Sequence, residues 1–191
     1  MASALPRALF LLYLCLCGPG QAADIVVGAA RDGDVLLIHA SADFEGTIAG
    51  TWQVLTDYDR LADFIPHLRT SRVTARTQGV ISVEQRGEAR LLLFSYPIEV
   101  TLAVTETPYS KVVSRAVAGN FKEMSGTYTL ESQDGRVRLH YAGRMAPDFY
   151  VPPLIGTWVL RYNVEATFGA LVDEIIRRQR QARPPDASTK Q

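Results

Sequence analysis

Ile98-Glu99-Val100-Thr101-Leu102-Ala103-Val104-Thr105 alternates residue by residue: Ile98, Val100, Leu102 and Val104 fall on one face of an extended strand, and Glu99, Thr101 and Thr105 on the other. Such a strand belongs to a sheet with one dry side and one wet side. The same period of two runs from Thr70 to Met145, punctuated by turn-forming pairs at Gln78-Gly79, Arg86-Gly87, Thr107-Pro108, Gly119-Asn120 and Asp134-Gly135. Towards its end Val137, Leu139, Tyr141 and Met145 alternate with Arg136, Arg138, His140 and Arg144, so one sheet face stays apolar throughout an antiparallel meander.

Downstream, the linker Ala146-Pro147-Asp148-Phe149-Tyr150-Val151-Pro152-Pro153 leads into a helical stretch to about Arg180, where Leu160, Val164, Phe168, Leu171, Val172 and Ile175 recur at helical spacing. That stripe requires a partner surface, and the dry face of the meander is the one available. Upstream, Val35 to Ala40 reads as the first strand and Gly46 to Leu55 as a helix. Asp59 is placed to N-cap a second short helix through Leu61, Ala62 and Phe64, which Pro66 ends. The order of strand, two short helices, six strands and one long helix predicts an α+β fold, a curled antiparallel seven-stranded sheet wrapped around the C-terminal helix. Arg177, Arg178, Arg180 and Arg183 suit the negative pole of that helix.

The chain has 191 residues, 20 basic against 20 acidic, and 47% hydrophobic residues, a composition that excludes disordered and fibrous classes. With no net charge it creates no field to gather phosphate backbones, and nucleic acid is not expected as a partner. Residues 1–22 read as a secretory signal peptide. Arg7 precedes the apolar run Ala8 to Cys17, Gly18-Pro19-Gly20 breaks it, and Gly20 and Ala22 stand at −3 and −1 of a cleavage site before Ala23. Both cysteines, Cys15 and Cys17, lie in this segment, so the mature chain has no thiol for disulfides, metal ligation or nucleophilic catalysis. The expected organisation is a signal peptide (1–22), one domain (23–180) and a flexible tail (181–191) carrying Pro184-Pro185, in a bacterial protein that is periplasmic or secreted.

The element order, with Thr51 to Asp59, Phe64-Ile65-Pro66-His67-Leu68, Gly119 to Gly126 and Pro152-Pro153-Leu154-Ile155-Gly156, resembles the START-like helix-grip (SRPBCC) superfamily. Within it, the sequence looks most like the polyketide cyclase/dehydrase-type group that includes coenzyme Q-binding proteins. The resemblance covers roughly Val35 to Arg180. It implies a deep apolar cavity between sheet and terminal helix for lipids, quinones, sterols or polyketides, in a family where most members bind or carry and a minority catalyse.

Candidate residues follow from the dry face and the stripe. Val100 and Leu102 on the alternating strand, Tyr128 and Tyr141 on later strands, and Leu160, Val164, Phe168 and Leu171 on the helix are expected to line the ligand site. Phe149, Tyr150 and Trp158 flank the proline linker and are expected to form an amphipathic rim suited to an apolar ligand or transient contact with a bilayer. His39, His67 and His140 are isolated in sequence and lack metal-ligand spacing, so no metal and no cofactor is expected. His140 shares the polar face with Arg138 and Arg144. His67 follows Pro66 and lies near Asp57, Asp59 and Asp63 in sequence, which makes it the candidate general base, a structural hydrogen bond being the alternative. Glu84 and Arg115 read as outward strand charges or buried anchors, and Arg90 begins the run Leu91-Leu92-Leu93-Phe94. The expected function is an exported binder or carrier of a hydrophobic small molecule, a lipid or isoprenoid quinone. The alternatives are a cyclase or isomerase acting in the same cavity, and an interaction module using the basic C-terminal helix on a protein or an anionic membrane.

Overall fold

The computed structural model of the protein describes residues 23–91, 94–148 and 153–183. Residues 1–22, expected to be a signal peptide, Phe149, Tyr150 and the end of the tail lie outside them. The elements are β1 (Asp24–Asp32), β2 (Val35–Glu45), α1 (Ile48–Leu55), a 3-10 helix (Tyr58–Asp63), β3 (Leu68–Thr77), β4 (Val80–Leu91), β5 (Phe94–Thr107), β6 (Lys111–Gly119), β7 (Phe121–Gln133), β8 (Arg136–Pro147) and α2 (Pro153–Ala182). All eight strands form one antiparallel sheet in the order β1-β2-β8-β7-β6-β5-β4-β3, a helix-grip arrangement with α2 across its inner face. The hairpins at Gln78-Gly79 and Asp134-Gly135 turn through positive φ at both residues, the backbone that matches the twist of the flanking strands.

The sheet has eight strands rather than seven because β1 precedes the expected first strand. Its inner residues Ile25 and Val27 are half-buried, but Val26 faces outward and is 61% exposed, so apolar and polar positions do not alternate cleanly. The expected turn at Arg86-Gly87 is instead continuous strand, since β4 pairs with β5 through Leu91 opposite Phe94. Gly87 is needed for a different reason. The register between β3 and β4 slips between Leu68 and Thr70, the backbone at His67 presses against Gly87 where a Cβ would stand, and the Glu88 N–H donates to the His67 carbonyl at 3.0 Å. Asp59 does not cap the short helix. Asp57 takes the N-cap position without a side-chain bond, while the Asp59 carboxylate accepts the Val73 N–H at 2.7 Å and ties the helix to β3.

Helix α2 packs over β1, β2 and α1 and reaches only a little of β4. Its stripe of Phe168, Leu171, Val172 and Ile175 is buried with Ala40, Ala42 and Phe44 of β2, Val137 and Leu139 of β8, and Val54 and Leu55 of α1. The C-terminal half of α2 is fastened by polar contacts as well. The Gln179 side-chain oxygen accepts the Thr47 N–H at 2.6 Å, with Gly46 and Gly50 leaving room for it. Arg178 reaches Asp57 through Nη1 and Glu174 through Nε, both at 2.6 Å, and its guanidinium lies 5.6 Å from the Phe64 ring centroid. Because the helix leans to one side, the inner faces of β4 to β7 are only partly covered.

Candidate functional site: an apolar cavity under the helix

The uncovered space is a cavity of about 400 Å³. Val83 of β4, Val100, Leu102 and Val104 of β5, Val112 of β6, Tyr128 of β7, Tyr141 of β8 and Ile38 of β2 form its floor. Leu160, Val164, Phe168 and Leu171 of α2 form its roof, and Leu55, Tyr58, Leu61 and Ile65 close one side. The floor is apolar because these positions are the inward half of each strand, as the period of two dictates. At the other end Pro66, His67, Gln85 to Arg90, Tyr96, Phe121 and Pro147 gather around a mouth.

Most polar side chains bordering the cavity are occupied. The Tyr58 hydroxyl donates to Glu106 at 2.8 Å, and burial, reinforced by that carboxylate, pushes its ionisation well above the usual phenol range. Gln85 Nε2 donates to Ser71 Oγ at 3.2 Å and Ser114 Oγ to the Gly126 carbonyl at 3.3 Å. Asn163 Nδ2 donates to the carbonyls of Arg90 at 3.1 Å and Val159 at 2.8 Å, which ties the first half of α2 to the mouth. Tyr128 and Tyr141 face each other across β7 and β8 with ring centroids 4.6 Å apart.

At the mouth, Glu88 is shared. Its carboxylate lies 3.0 Å from Arg90 Nη2, 2.7 Å from Arg69 Nη2 and 3.9 Å from His67 Nδ1. Hydrogen bonding to Arg90, with Ser95 and Arg69, holds this carboxyl below the usual range. The acid beside His67 is therefore Glu88, on β4, and not Asp57, Asp59 or Asp63. Asp57 pairs with Arg178, Asp63 with Arg60 at 3.1 Å, and Asp59 with the Val73 amide. His67 sits at φ 63°, in the left-handed region, a conformation the strand register imposes at this corner.

Of the residues expected at the site, Val100, Leu102, Tyr128, Tyr141, Leu160, Val164, Phe168 and Leu171 line the cavity. Phe149 and Tyr150 lie outside the described residues. Trp158 does not line it: the ring is 61% exposed and stacks on Tyr162 at 6.1 Å. The helical phase explains this, since Trp158 and Tyr162 lie about 200° around the axis from Leu160, and Val159 takes the inward place beside the stripe. Glu84 and Arg115 point outward, as do His39 and His140. Arg90 is exposed at the rim. Arg177 and Arg178, expected at the negative pole of the helix and, in one alternative, as part of a basic docking face, are engaged with Glu174. Sequence reasoning missed Val159, Asn163, Tyr96 and the Glu88 cluster, whose members come together only through the β3–β4 pairing. Among the described residues no cluster of His, Cys, Asp and Glu is arranged to hold a metal, and no helix is long and apolar enough to cross a membrane.

Several solved structures share this architecture. The Zhui aromatase/cyclase from Streptomyces sp. R1128 superposes with a TM-score of 0.65 at 18% identity, covering 78% of this chain and 98% of that one. A STAR-related lipid transfer protein from Xanthomonas axonopodis gives 0.64 at 13% identity, with 82% and 96% covered. A START superfamily protein from Mycobacterium smegmatis gives 0.61 at 10% identity, with 77% and 99% covered. At these identities the likeness establishes the fold. No curated protein matches the chain by sequence. The sequence profile of one family, described as polyketide cyclase / dehydrase and lipid transport, matches residues 47–182, from the α1 cap to the last turn of α2. The chain belongs to the polyketide cyclase/dehydrase and lipid transport family.

Proposed function

We propose that this protein is an exported binder or carrier that holds a hydrophobic small molecule, a lipid or isoprenoid, between the sheet and α2. The observation that carries the reading is the cavity: about 400 Å³ floored by aliphatic side chains and roofed by the α2 stripe, a size and lining suited to a small-molecule ligand. At about 25 cal/mol per Å² of apolar surface removed from water, a ligand filling such a space has a driving force of several kcal/mol without any ionic contact. The activities in the family's description, polyketide cyclase or dehydrase and lipid transport, all call for such a space. The signal-like segment 1–22 supports export, and the exposed Trp158–Tyr162 pair, on the helix beside the mouth, supports transient contact with a bilayer during loading.

The test is to express the full chain with export intact, take the mature form through native mass spectrometry, and extract and identify whatever co-purifies. A stoichiometric apolar molecule is expected. A protein that is empty and also refuses lipids, quinones and sterols would overturn the reading.

A second reading, a cyclase or isomerase, draws on one observation: His67 stands at the cavity mouth with Glu88 3.9 Å from its Nδ1. In that case a bound polyketide-like probe is altered by the wild type and unchanged by His67→Ala.

A further inference from the structure

Two polar groups inside the cavity have no occupation within the protein. Neither the Tyr128 nor the Tyr141 hydroxyl has a hydrogen-bond partner among the described residues, and both half-buried side chains line the cavity. In the open cavity these hydroxyls are within reach of water, but a ligand that fills the space cuts them off from it, and one that offers no acceptor leaves both unpaired at a cost. The pair is also deliberately accommodated. Gly126 and Gly143 lie opposite each other in the register, and a Cβ on either would come within 2.7 and 2.6 Å of the Tyr141 hydroxyl. Side chains are thus absent where the phenol crosses the floor.

The surroundings select what can meet these hydroxyls. Tyr128 stands seven residues along β7 from Phe121 at the mouth, about 23 Å at the rise of a strand. The arginines that border the cavity, Arg86 and Arg90, are at the mouth, and the walls near the tyrosines are Ile38, Val112 and Ser114, whose hydroxyl is already given to the Gly126 carbonyl. An ionised carboxylate or phosphate drawn to this depth would be desolvated with no opposing charge. Burial raises both phenol ionisations, Tyr141 to about 12, so at neutral pH each remains a donor.

We propose that Tyr128 and Tyr141 form a donor pair that receives a neutral carbonyl oxygen of the ligand, of ketone or quinone type, at the inner part of the cavity. The proposal rests on the reading of this cavity as a ligand site, and names the chemistry of the end that enters first.

The experiment compares 9-fluorenone with fluorene, which share a skeleton and differ by one carbonyl. Binding of each to the mature protein is measured by calorimetry, and the carbonyl stretch of bound fluorenone by infrared difference spectroscopy. The expected result is a preference for fluorenone of about fivefold, the scale of one net hydrogen bond, with the stretch shifted to lower frequency than in cyclohexane. Tyr128→Phe combined with Tyr141→Phe should abolish the preference and return the stretch to its cyclohexane position, while fluorene affinity, which reports an intact cavity, stays within twofold. Equal binding of both probes with an unshifted stretch in the wild type overturns the donor pair and leaves the cavity reading standing. Failure of both probes to bind overturns both. If the double variant loses fluorene binding through misfolding, the wild-type stretch and the two single variants decide.

Discussion

Replacing Glu174 with Gln removes the carboxylate that holds Arg177 and Arg178 on α2, the second of which reaches Asp57 after α1, and its effect has a calculable dependence on pH. Glu174 is buried, and its ionisation falls from the usual 4.5 to about 2, first through its bond to Arg177 and then, against the opposing effect of burial, through Arg178. The unfolded chain takes up this proton near 4.5, whereas the folded protein resists until about 2, so across that window the unfolded state binds more protons and stability falls as pH falls. At 1.36 kcal/mol per tenfold change, the full contribution above pH 5 is at most about 3 kcal/mol. Because Arg177 is half exposed and screened by water, about 2 kcal/mol is the working figure. Urea unfolding followed by tryptophan fluorescence at pH 7, 5, 4 and 3 should show wild type more stable than Glu174→Gln by about 2 kcal/mol at pH 7, with the gap roughly halved by pH 3. A gap that is constant over this range, or below about 0.5 kcal/mol at pH 7, would refute the assignment of Glu174 as an ionised clamp.

Phe168, 2% exposed, is both core and cavity roof; Phe168→Ala should cost about 3 kcal/mol, the lower end for such a truncation because its ring already borders open space, as read from thermal unfolding. Gly87→Ala sets a methyl against the His67 backbone and should cost about 1–3 kcal/mol, whereas Gly28→Ala, with open space around it and no positive φ, should cost less. Trp158→Ser with Tyr162→Ser should change stability by no more than about 0.5 kcal/mol yet reduce co-sedimentation with phospholipid vesicles. Unchanged sedimentation would remove the bilayer contact.

Alternation and helical spacing were sufficient for most of the sheet and for the roof of the cavity, because each inward position of a two-residue or 3.6-residue repeat reports its own burial. That logic identified Val100 and Leu102, and Phe168 and Leu171, without any tertiary information. It failed where the cause of a residue is not periodic. Gly87 is a glycine because another backbone crosses it, and a turn is the more common reason for Arg-Gly. Trp158 was assigned by proximity to the linker, and the angle separating it from Leu160 was the signal that placed it outside. The grouping of His67, Arg69, Glu88 and Arg90 depends on which strand pairs with which and at what offset, and no local pattern encodes that offset. β1 was hidden because an edge strand buries little and so needs little alternation.

The fastening of α2 at Thr47 and Asp57, and its lighter attachment at Asn163, make the helix mechanically a cantilever. Its anchored half is buried against β2, β8 and α1, and its other half overhangs the cavity with Trp158 and Tyr162 in water. Bending such a beam at its lightly held end requires breaking the Asn163 bond to the Arg90 carbonyl and lifting Val159, so a guest can pass while the core around Phe168 to Ile175 stays packed. Amide exchange along the helix should accordingly slow from Trp158 towards Ile175, and the gradient should flatten when the space beneath is filled.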